Sequence, residues 1–500
     1  MNYNWRKLDI RIYAVMASLL ISVYTLAFPD SPNNDAYIYI RTADLFLNEG
    51  LSAAFQYYEW ATYSMLLGLV SLIGLDLFSA GLLVNALFYA VLVFAFVSLV
   101  KEIDDSKKLS VFAAISILVY PQLNEYRYFI IRDPGFWAFS VLALWQYLQY
   151  SSSRSIIHAF AFCGSLLIAA TFRVEAVAYL LVTPLAILFD NRHERKVCIR
   201  LFFTLTGITV SAIVLATVFL SIIGLDVSGL FLGFISVYQP FIDSFFNSDQ
   251  AQITELSRLL FNEHAASHSQ EYITIFLGAG FFAILLATLF KAIGGSYLAV
   301  IIFGAFKKHI QLSRYFVTPL IAYLLVNALI LFAFLFITKF LTTRYAMLFC
   351  IVLAVFVPVI LWRVISSIRV EKLKAAYIVL ALFFTYCGID SYYSFGGKKD
   401  YVLDSINWLS ENTTSTSGLV TNNRAIAYST GKVENYDVVL RLLTEQQVLS
   451  GVAGDTIAIE MNREMEGLLS STSIAPYLKL QTAFPDMQKQ RLRIYQRINP

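Results

Sequence analysis

Two aspartates stand beside long apolar runs in a chain with few charged residues. Asp35 lies in the stretch FPDSPNNDAYIYIR and Asp133 in the stretch NEYRYFIIRDPGFW. A carboxylate held at the end of an apolar segment can accept a proton from a hydroxyl or an amine, as a general base does. At helical spacing Asp35, Tyr39 and Ala43 share one face of a short helix that the residues SPNN can cap. The alternative for Asp35 is a helix N-terminal acid that is favourable against the helix dipole.

The second stretch combines acids with arginines. Glu125, Arg127, Arg132 and Asp133 lie within nine residues of one another. The planar guanidinium group is well suited to binding phosphate. The alternative for the two arginines is contact with phospholipid headgroups at the membrane surface, which is frequent for arginine near the end of a span.

A proline follows this charged stretch and predicts where the next helix starts. The residue before a proline avoids the helical region, and proline itself suits the first turn. We therefore expect Asp133 to be the N-cap of a helix that begins at Gly135. A cap and a chemical role are compatible, because a carboxylate at a helix start is held rigidly.

Two shorter segments carry further charges. The stretch TKFLTTRY, residues 338–345, contains Lys339, Arg344 and Tyr345. Arg344 has the same two interpretations as the earlier arginines, phosphate or lipid headgroup. The stretch FRVE contains Arg173 and Glu175, which we expect to pair with each other or with other loop charges in a supporting role.

Patterns typical of metals and cofactors are weak. His264 and His268 in HAASH have the spacing of half a zinc site, but the sequence indicates no third ligand, so a solvated loop is the stronger interpretation. The four cysteines have neither CxxC nor metal spacing and are expected to be small buried residues. Without a Walker loop or a GxGxxG fingerprint, the energy for any reaction must come from the substrate. We expect no required cofactor and leave open whether a divalent ion takes part.

The elements that position these residues are membrane helices. The chain of 500 residues is 58% hydrophobic and 14% charged, and its apolar runs reach the roughly 20 residues that a helix needs to cross a bilayer. The net charge of +3 is too small to indicate nucleic-acid binding. Single crossings are predicted at residues 11–28, 78–100, 109–123, 135–150, 156–172, 176–189, 201–223, 315–337, 345–362 and 375–389.

Two apolar stretches are ambiguous. Residues 63–75 are short for a span and fit an interfacial or re-entrant helix, and residues 272–306 are interrupted by KAIGGS. Lys and Arg concentrate on the cytoplasmic side of membrane proteins. If 63–75 does not cross and 272–306 crosses once, the inner segments hold 18 of the 37 basic residues. This favours about eleven spans with the N-terminus inside.

The composition becomes mixed and polar from about residue 391. Alternating stretches such as DTIAIEM and helical ones such as DYVLDSINWLSEN predict a small α/β domain over 391–500, outside the membrane. Residues 1–390 are then a transmembrane domain of about eleven helices. Its predicted outer loops are 29–77, 121–134, 224–271 and 338–344.

Together these stretches resemble the glycosyltransferase-C superfamily of polyprenyl-phosphate-sugar transferases, especially protein O-mannosyltransferases and the lipid A aminoarabinose transferase. DAYIYIRTADLFLNEG resembles that family's Asp, Tyr, Ala, Gly pattern, and RYFIIRDPGFWAF resembles the Arg-Tyr and Asp stretch of its second outer loop. TTRYAMLF and GLVTNNRAIAYSTG resemble later parts of the family. The chain departs from it in having Ala36 where many relatives have a second acid, and YYEWATYSML in place of a Pro-Pro-Leu-like element.

The resemblance implies roles for particular residues. Asp35 corresponds to the catalytic carboxylate of the first loop and Asp133 to the acid of the second. The residues expected to bind substrate are Glu59, Glu125, Arg127, Arg132, Lys339, Arg344 and Tyr345. Asp133 and Glu125 would orient the acceptor or the arginines, or hold a divalent ion if one is used.

The expected activity is transfer of a sugar from a polyprenyl-phosphate carrier to an acceptor at the outer face of the membrane. The acceptor would be a glycolipid, a polysaccharide or a protein, and we expect a bacterial inner-membrane protein with its C-terminal domain in the periplasm or outside the cell. One alternative is an O-antigen polymerase or ligase, which would depend on a large mid-chain outer loop. The other is a lipid or polysaccharide transporter, which would place charges at mid-span or use paired broken helices.

Overall fold

The computed structural model describes residues 9–26, 31–222, 263–393, 399–414 and 417–499, and three isolated positions, Gly229, Ser236 and Gln239. Most of the predicted outer loop 224–271, and the side chains of His264 and His268, lie outside the described residues. The chain divides into two compact units. We call Met1–Ser22, Asn85–Arg127 and Arg132–Tyr392 the bundle unit, and Val23–Val84, Tyr128–Ile131 and Tyr393–Pro500 the sheet unit.

The membrane part of the chain is helical. Its helices are α1 (Ile10–Leu26), α5 (Leu77–Lys101), α6 (Lys107–Leu118), α7 (Pro121–Asn124), α8 (Asp133–Ser153), α9 (Ile156–Phe172), α10 (Ala176–Val182), α11 (Arg195–Ile222), α12 (Glu263–Ile293), α13 (Gly295–Phe306), α14 (Arg314–Thr338), α15 (Thr343–Ala354), α16 (Phe356–Ser367) and α17 (Leu373–Tyr392). Two 3₁₀ helices, Thr183–Phe189 and Val370–Lys372, continue α10 and precede α17.

The lengths of these helices confirm a polytopic membrane protein. Among the described residues, six helical segments are long and apolar enough to cross a bilayer: Leu77–Lys101, Arg195–Ile222, Ile275–Ile293, Arg314–Thr338, Thr343–Ser367 and Val370–Tyr392. Within the ambiguous stretch 63–75, the helix Thr62–Ser71 has ten residues. It rises about 15 Å at 1.5 Å per residue, which is about half of the hydrocarbon thickness.

The second ambiguous stretch, 272–306, is a broken helix. α12 ends at Ile293 and α13 begins at Gly295, while Gly294 has a φ of 78° that favours glycine. A Cβ atom on Gly294 would meet the side-chain oxygen of Gln122, at the end of a flexible side chain. Tyr120 donates a hydrogen bond of 2.6 Å to the carbonyl of Ala292. The glycine therefore supplies the backbone conformation that the break requires.

The sheet unit contains a four-stranded sheet, which confirms the predicted α/β class of the C-terminal part. Strands β1 (Leu419–Thr421), β2 (Thr456–Glu460), β3 (Leu478–Phe484) and β4 (Leu492–Arg497) are arranged in the order β1-β2-β4-β3. β1 and β2 are parallel, and the pairs β2–β4 and β3–β4 are antiparallel. The helices after residue 399 are α18 (Asp400–Asn412), α19 (Arg424–Thr430), α20 (Glu445–Leu449) and α21 (Arg463–Leu469), with 3₁₀ helices at Tyr436–Val438 and Ala475–Tyr477.

The sheet unit also includes the segment after α1. This segment forms α2 (Asn34–Glu49), α3 (Leu51–Tyr57) and α4 (Thr62–Ser71). Tyr37 of α2 belongs to one core with Val402, Leu409, Ile426 and Ile494. Burying a large aromatic side chain among apolar ones stabilises the contact by roughly 1.5–3 kcal/mol. The helix that carries Asp35 therefore shares a hydrophobic core with residues of the predicted C-terminal domain.

Candidate functional site

Asp133 is the centre of a charged cluster in the bundle unit. It is 2% exposed, and its Oδ1 accepts a 2.8 Å hydrogen bond from Nη1 of Arg173. Its Oδ2 lies 3.5 Å from Nε of Arg344. The three residues come from the start of α8, the turn between α9 and α10, and the start of α15. A buried carboxylate needs such partners, because removing an ion from water is costly unless it is paired.

Arg173 joins two carboxylates. Its Nη2 donates a 2.9 Å hydrogen bond to Glu175, and its guanidinium lies 4.8 Å from the centre of the Tyr345 ring. Burial alone would raise the pKa of the Glu175 carboxyl, but the charge and the hydrogen bond of Arg173, together with the charge of Arg132, hold that pKa below its usual range. The predicted pairing of Arg173 with Glu175 is confirmed, and Arg173 also binds Asp133, a charge from another predicted loop.

Arg344 is the more open of the two arginines that hold Asp133. Its side chain is 21% exposed, against 11% for Arg173. It donates a 3.3 Å hydrogen bond to the hydroxyl of Tyr345. The hydroxyls of Tyr126 and Thr343 are 2.6 Å apart, which ties the second predicted outer loop to the start of α15. The position of Arg344 is thus set from two segments.

Arg132 completes this cluster, which we call the Asp133 cluster: Arg132, Asp133, Arg173, Glu175, Arg344 and Tyr345. The charge of Arg132 acts on the Glu175 carboxyl. The three guanidinium groups of Arg132, Arg173 and Arg344 and the two carboxylates of Asp133 and Glu175 leave an excess of one positive charge. Arginines held in place by buried carboxylates are already oriented when an anion arrives, so an anion loses less free energy in ordering them.

The expected N-cap role of Asp133 is wrong. α8 begins at Asp133 itself, and its N-cap residue is Arg132, with φ −77° and ψ −18° and no side-chain cap. The physical reason is competition for the carboxylate. Charge-assisted bonds to guanidinium groups are stronger than bonds to neutral backbone N–H groups, and Asp133 binds Arg173 and Arg344 instead of capping the helix.

Arg127 lies in the interior of the bundle unit. It is 3% exposed and donates hydrogen bonds of 2.8 Å to Ser22 Oγ and 3.1 Å to both the Ser18 carbonyl and Asn124 Oδ1. Its guanidinium lies 4.2 Å from the centre of the Tyr89 ring. Neither a lipid headgroup nor a substrate phosphate fits this burial. Arg127 instead ties α1 to α5 and α7.

Three other predicted residues lie at separate positions. Glu125 is the C-cap residue of α7 and is exposed, and Glu59 is exposed in the turn before α4. Lys339 adopts φ 59° at the end of α14, with its Nζ 4.3 Å from the Phe336 ring centre and 5.0 Å from that of Phe281. The ion pairs of Asp133 and Arg173 do not include any of these three residues.

Asp35 lies in the sheet unit, in the first turn of α2, and is half-buried. The N-cap residue Asn33 does not cap this helix. Its side chain accepts a 2.8 Å hydrogen bond from the Ile130 amide and donates one of 3.2 Å to the Ile130 carbonyl. On the other side, Arg424 Nη1 donates a 3.0 Å hydrogen bond to the carbonyl of Asn34. The two residues before Asp35 are thus held, Asn33 through its side chain and Asn34 through its backbone carbonyl.

Potential metal ligands are widely spaced in the part of the chain that the structure describes. There, no group of three or more His, Cys, Asp and Glu residues lies close enough to hold a metal ion. Cys163, Cys198, Cys350 and Cys387 are all buried and free. The carboxylate of Asp133 has two guanidinium partners, which favours an arginine-orienting role for it.

Comparison with known proteins gives a likeness in structure. No family model and no curated protein sequence matches the chain. The archaeal oligosaccharyltransferase AglB from Archaeoglobus fulgidus, in complex with an inhibitory peptide and a dolichol-phosphate, superposes with a TM-score of 0.52 and 14% identity, covering 95% of this chain and 73% of AglB. The oligosaccharyltransferase from Archaeoglobus fulgidus tethered with an acceptor peptide superposes with a TM-score of 0.51 and 15% identity. The match covers 96% of this chain and 74% of that protein.

ArnT from Cupriavidus metallidurans, bound to undecaprenyl phosphate, superposes with a TM-score of 0.49 and 10% identity over 97% of each chain. The chain therefore shares its fold with the archaeal oligosaccharyltransferase, which confirms the fold that the resemblance implied.

Proposed function

We propose that this chain is an integral-membrane glycosyltransferase that moves a sugar from a polyprenyl-phosphate carrier to an acceptor at the outer face of the membrane. The observation that carries the proposal is the Asp133 cluster, in which one buried carboxylate holds Arg173 and Arg344. The fold shared with an oligosaccharyltransferase solved with dolichol-phosphate supports a lipid-phosphate donor.

The phosphate of the donor would bind at the Asp133 cluster. Guanidinium groups match phosphate oxygens in a planar, two-pronged geometry. Arg344 is the more exposed of the two arginines bound to Asp133, so it is the group that we assign to the donor phosphate. We assign Arg132, whose charge acts on Glu175 of the same cluster, as its helper. Their charges would stabilise the negative charge that grows on the phosphate as the sugar leaves.

The reaction needs one base and a good leaving group. The acceptor O–H or N–H attacks the anomeric carbon in line with the departing phosphate oxygen, which inverts that carbon. The new bond takes an electron pair from the acceptor, the bond between the anomeric carbon and phosphate oxygen breaks toward the phosphate, and the proton goes to Asp35. Because polyprenyl phosphate leaves as an anion without being protonated, no second carboxylic acid is needed, unlike glycoside hydrolysis.

The side of the membrane on which the site lies follows from the basic residues in the loops. Placing the basic loops in the cytoplasm puts the start of α8 and the start of α15 outside. We assign the protein to a bacterial inner membrane. The C-terminal part of the sheet unit then lies in the periplasm or outside the cell. An acceptor at that face would be a glycolipid, a polysaccharide or a protein.

A donor panel tests the proposal. Purified protein in lipid nanodiscs is incubated with several polyprenyl-phosphate sugars and with crude cell-envelope acceptors, and release of polyprenyl phosphate is measured. We expect release from one donor class, and loss of release in Arg344→Gln but not in Arg369→Gln, whose arginine is exposed after α16. Lack of release from every donor, or equal release in both variants, would contradict the proposal.

A further inference from the structure

The carboxyl ends of the two parallel strands in the sheet unit carry a polar network. Asn422 and Asn423 follow β1, and Glu460 ends β2. Asn422 accepts a 2.7 Å hydrogen bond from the Glu460 amide and donates one of 2.9 Å to its carbonyl. In open α/β sheets, ligands bind outside the carboxyl ends of parallel strands. This edge is therefore where the C-terminal part would contribute to a site.

Glu460 anchors this edge. Its Oε1 accepts hydrogen bonds of 2.7 Å from the Tyr401 hydroxyl and 3.1 Å from Lys399 Nζ. Burial would raise the pKa of Glu460, but these partners outweigh burial and hold its pKa below the usual range. Its Oε2 accepts a 2.8 Å hydrogen bond from Asn423. The ionised carboxylate thereby fixes the side chain of Asn423.

Asn423 in turn positions the next residue, Arg424. The Asn423 side-chain oxygen caps α19 by accepting hydrogen bonds from the amides of Ala425 and Ile426, at 2.9 and 3.2 Å. Arg424 Nε donates a 3.3 Å hydrogen bond to the carbonyl of Val439. The Arg424 guanidinium is held from both of its ends, since its Nη1 binds the carbonyl of Asn34.

The target of Arg424 is the residue immediately before Asp35. The Asp35 carboxylate is also close enough for its charge to act on the Arg424 guanidinium. The orientation of α2 is fixed in the same region, because the Tyr37 ring centre lies 5.8 Å from that of Tyr428 and 6.4 Å from that of Tyr436. A chain of defined contacts thus runs from the end of β2 to the first turn of α2.

We propose that Arg424 is a positioning residue for Asp35, and that the C-terminal part of the chain thereby belongs to the catalytic apparatus. This inference rests on the proposed function, in which Asp35 is the base. A base must lie within hydrogen-bonding reach of the acceptor proton, and a displacement of about 1 Å can lower the rate about 100-fold. Arg424 holds the backbone that sets the position of Asp35, and it places a positive charge beside the carboxylate.

The test compares Arg424→Gln with Arg463→Gln, which removes an exposed arginine from α21 of the same part of the chain. In the donor-release assay we expect Arg424→Gln to lower kcat by about 10- to 100-fold with donor KM within about twofold, since the donor phosphate binds elsewhere. Added guanidinium chloride at millimolar concentration should restore part of kcat in Arg424→Gln, which a lost structural contact alone would not allow. Arg463→Gln should keep the wild-type kcat.

Unchanged kcat in Arg424→Gln overturns the inference, as does an equal loss in Arg463→Gln or a loss that guanidinium does not relieve. If Arg424→Gln does not fold, the Arg424→Lys variant tests the positioning role of Arg424 instead. A lysine keeps the charge but cannot bind the carbonyls of Asn34 and Val439 together, so wild-type kcat in that variant also overturns the inference. The Asp35→Asn variant separates the two proposals. If Asp35→Asn is active, Asp35 is not the base and the proposed function fails. If Asp35→Asn is inactive while Arg424→Gln is active, only the positioning role of Arg424 fails.

Discussion

Asp133 and Arg173 form a buried ion pair, 2.8 Å between Oδ1 and Nη1, that joins the start of α8 to the turn after α9. The side chains are 3% and 11% exposed. Arg344 meets the second oxygen of the same carboxylate at 3.5 Å and is more open. The two arginines therefore share a partner but differ in burial, and we expect different consequences when each is removed.

Arg173→Gln should destabilise the protein. Removing one partner of a buried ion pair leaves an uncompensated charge and costs about 3–5 kcal/mol, and here the two carboxylates of Asp133 and Glu175 lose the same partner. We expect a lower midpoint of thermal unfolding, measured by fluorescence in nanodiscs. A midpoint equal to that of the wild type would show that the pair does not hold these helices together.

Arg344→Gln should instead weaken donor binding while the unfolding midpoint changes little. A charge-assisted hydrogen bond contributes about 1.5–3 kcal/mol, so we expect the donor KM to rise by roughly 10- to 100-fold. The measurement is a donor titration beside the thermal unfolding of the same sample. Unchanged donor KM would assign Arg344 to lipid headgroups instead of the donor phosphate.

Asp35→Asn should stop transfer and leave the fold intact. A general base contributes about 10²–10⁴-fold to the rate, and the amide keeps the size of the half-buried side chain. We expect this loss in kcat with an unchanged elution profile in size-exclusion chromatography. Asp44→Asn, which alters an exposed carboxylate on the same helix, is the matched control. Turnover near the wild-type rate in Asp35→Asn would remove Asp35 from the role of base.

Much of the fold could be predicted from the sequence because it depends on apolar run lengths. Runs of about 20 residues indicate spans directly, and the alternation in DTIAIEM predicted the strand that became β2. The start of α8 was harder to predict. The spacing before Pro134 suggested a cap at Asp133, and only the tertiary contacts with Arg173 and Arg344 move that carboxylate away from the helix amides.

The composition of the Asp133 cluster could be predicted only in part. Asp133, Arg132 and Arg344 are each candidates from the sequence because each is a charged residue near the end of an apolar run. Arg127 carries the same signal, yet it turns into the bundle toward Ser18 and Ser22. Two serines in an apolar helix do not indicate from a single sequence that an arginine binds there, since serine is common in membrane helices.

Acidification should destabilise the sheet unit through Glu460. The folded-state pKa of Glu460 lies below the usual value of about 4.3. Its ionised form therefore contributes stability above that unfolded value, and the contribution is lost as pH falls through the lower folded-state pKa. We expect the protection factors of β1 and β2, which correct hydrogen exchange for the intrinsic pH dependence of the amide reaction, to fall between about pH 5 and pH 3. Glu460→Gln should show faster exchange at pH 7 and a smaller change on acidification.

The matched control for this pH effect is Glu466→Gln. Glu466 forms a 3.3 Å ion pair with Arg493, but its side chain is 66% exposed, and pairs of this kind contribute about 0–1 kcal/mol. Exchange in this variant should follow the wild-type pH profile. If both variants flatten the profile equally, the pH dependence arises from the total charge of the unit and not from the Glu460 network.

Packing next to the Asp133 cluster gives a further prediction. A Cβ atom on Gly135 in α8 would lie 2.8 Å from two ring atoms of Phe172 and 3.0 Å from the ring of Phe88. Gly135→Ala should therefore push Phe172 and cost about 1–3 kcal/mol by overpacking. Gly164 in α9 has no atom within 4 Å of such a Cβ, so Gly164→Ala should stabilise its helix by about 0.5–1 kcal/mol. The unfolding midpoint should fall in the first variant and rise or stay level in the second.

The same pair of variants tests whether this packing also places the arginines. Phe172 is the last residue of α9, and Arg173 follows it directly and holds Asp133. A shift of Phe172 in Gly135→Ala should therefore move Arg173, and with it the carboxylate that orients Arg344. We expect the donor KM to rise in Gly135→Ala and to stay at the wild-type value in Gly164→Ala. A donor KM unchanged in both variants would separate the packing of α8 and α9 from the placement of the arginines.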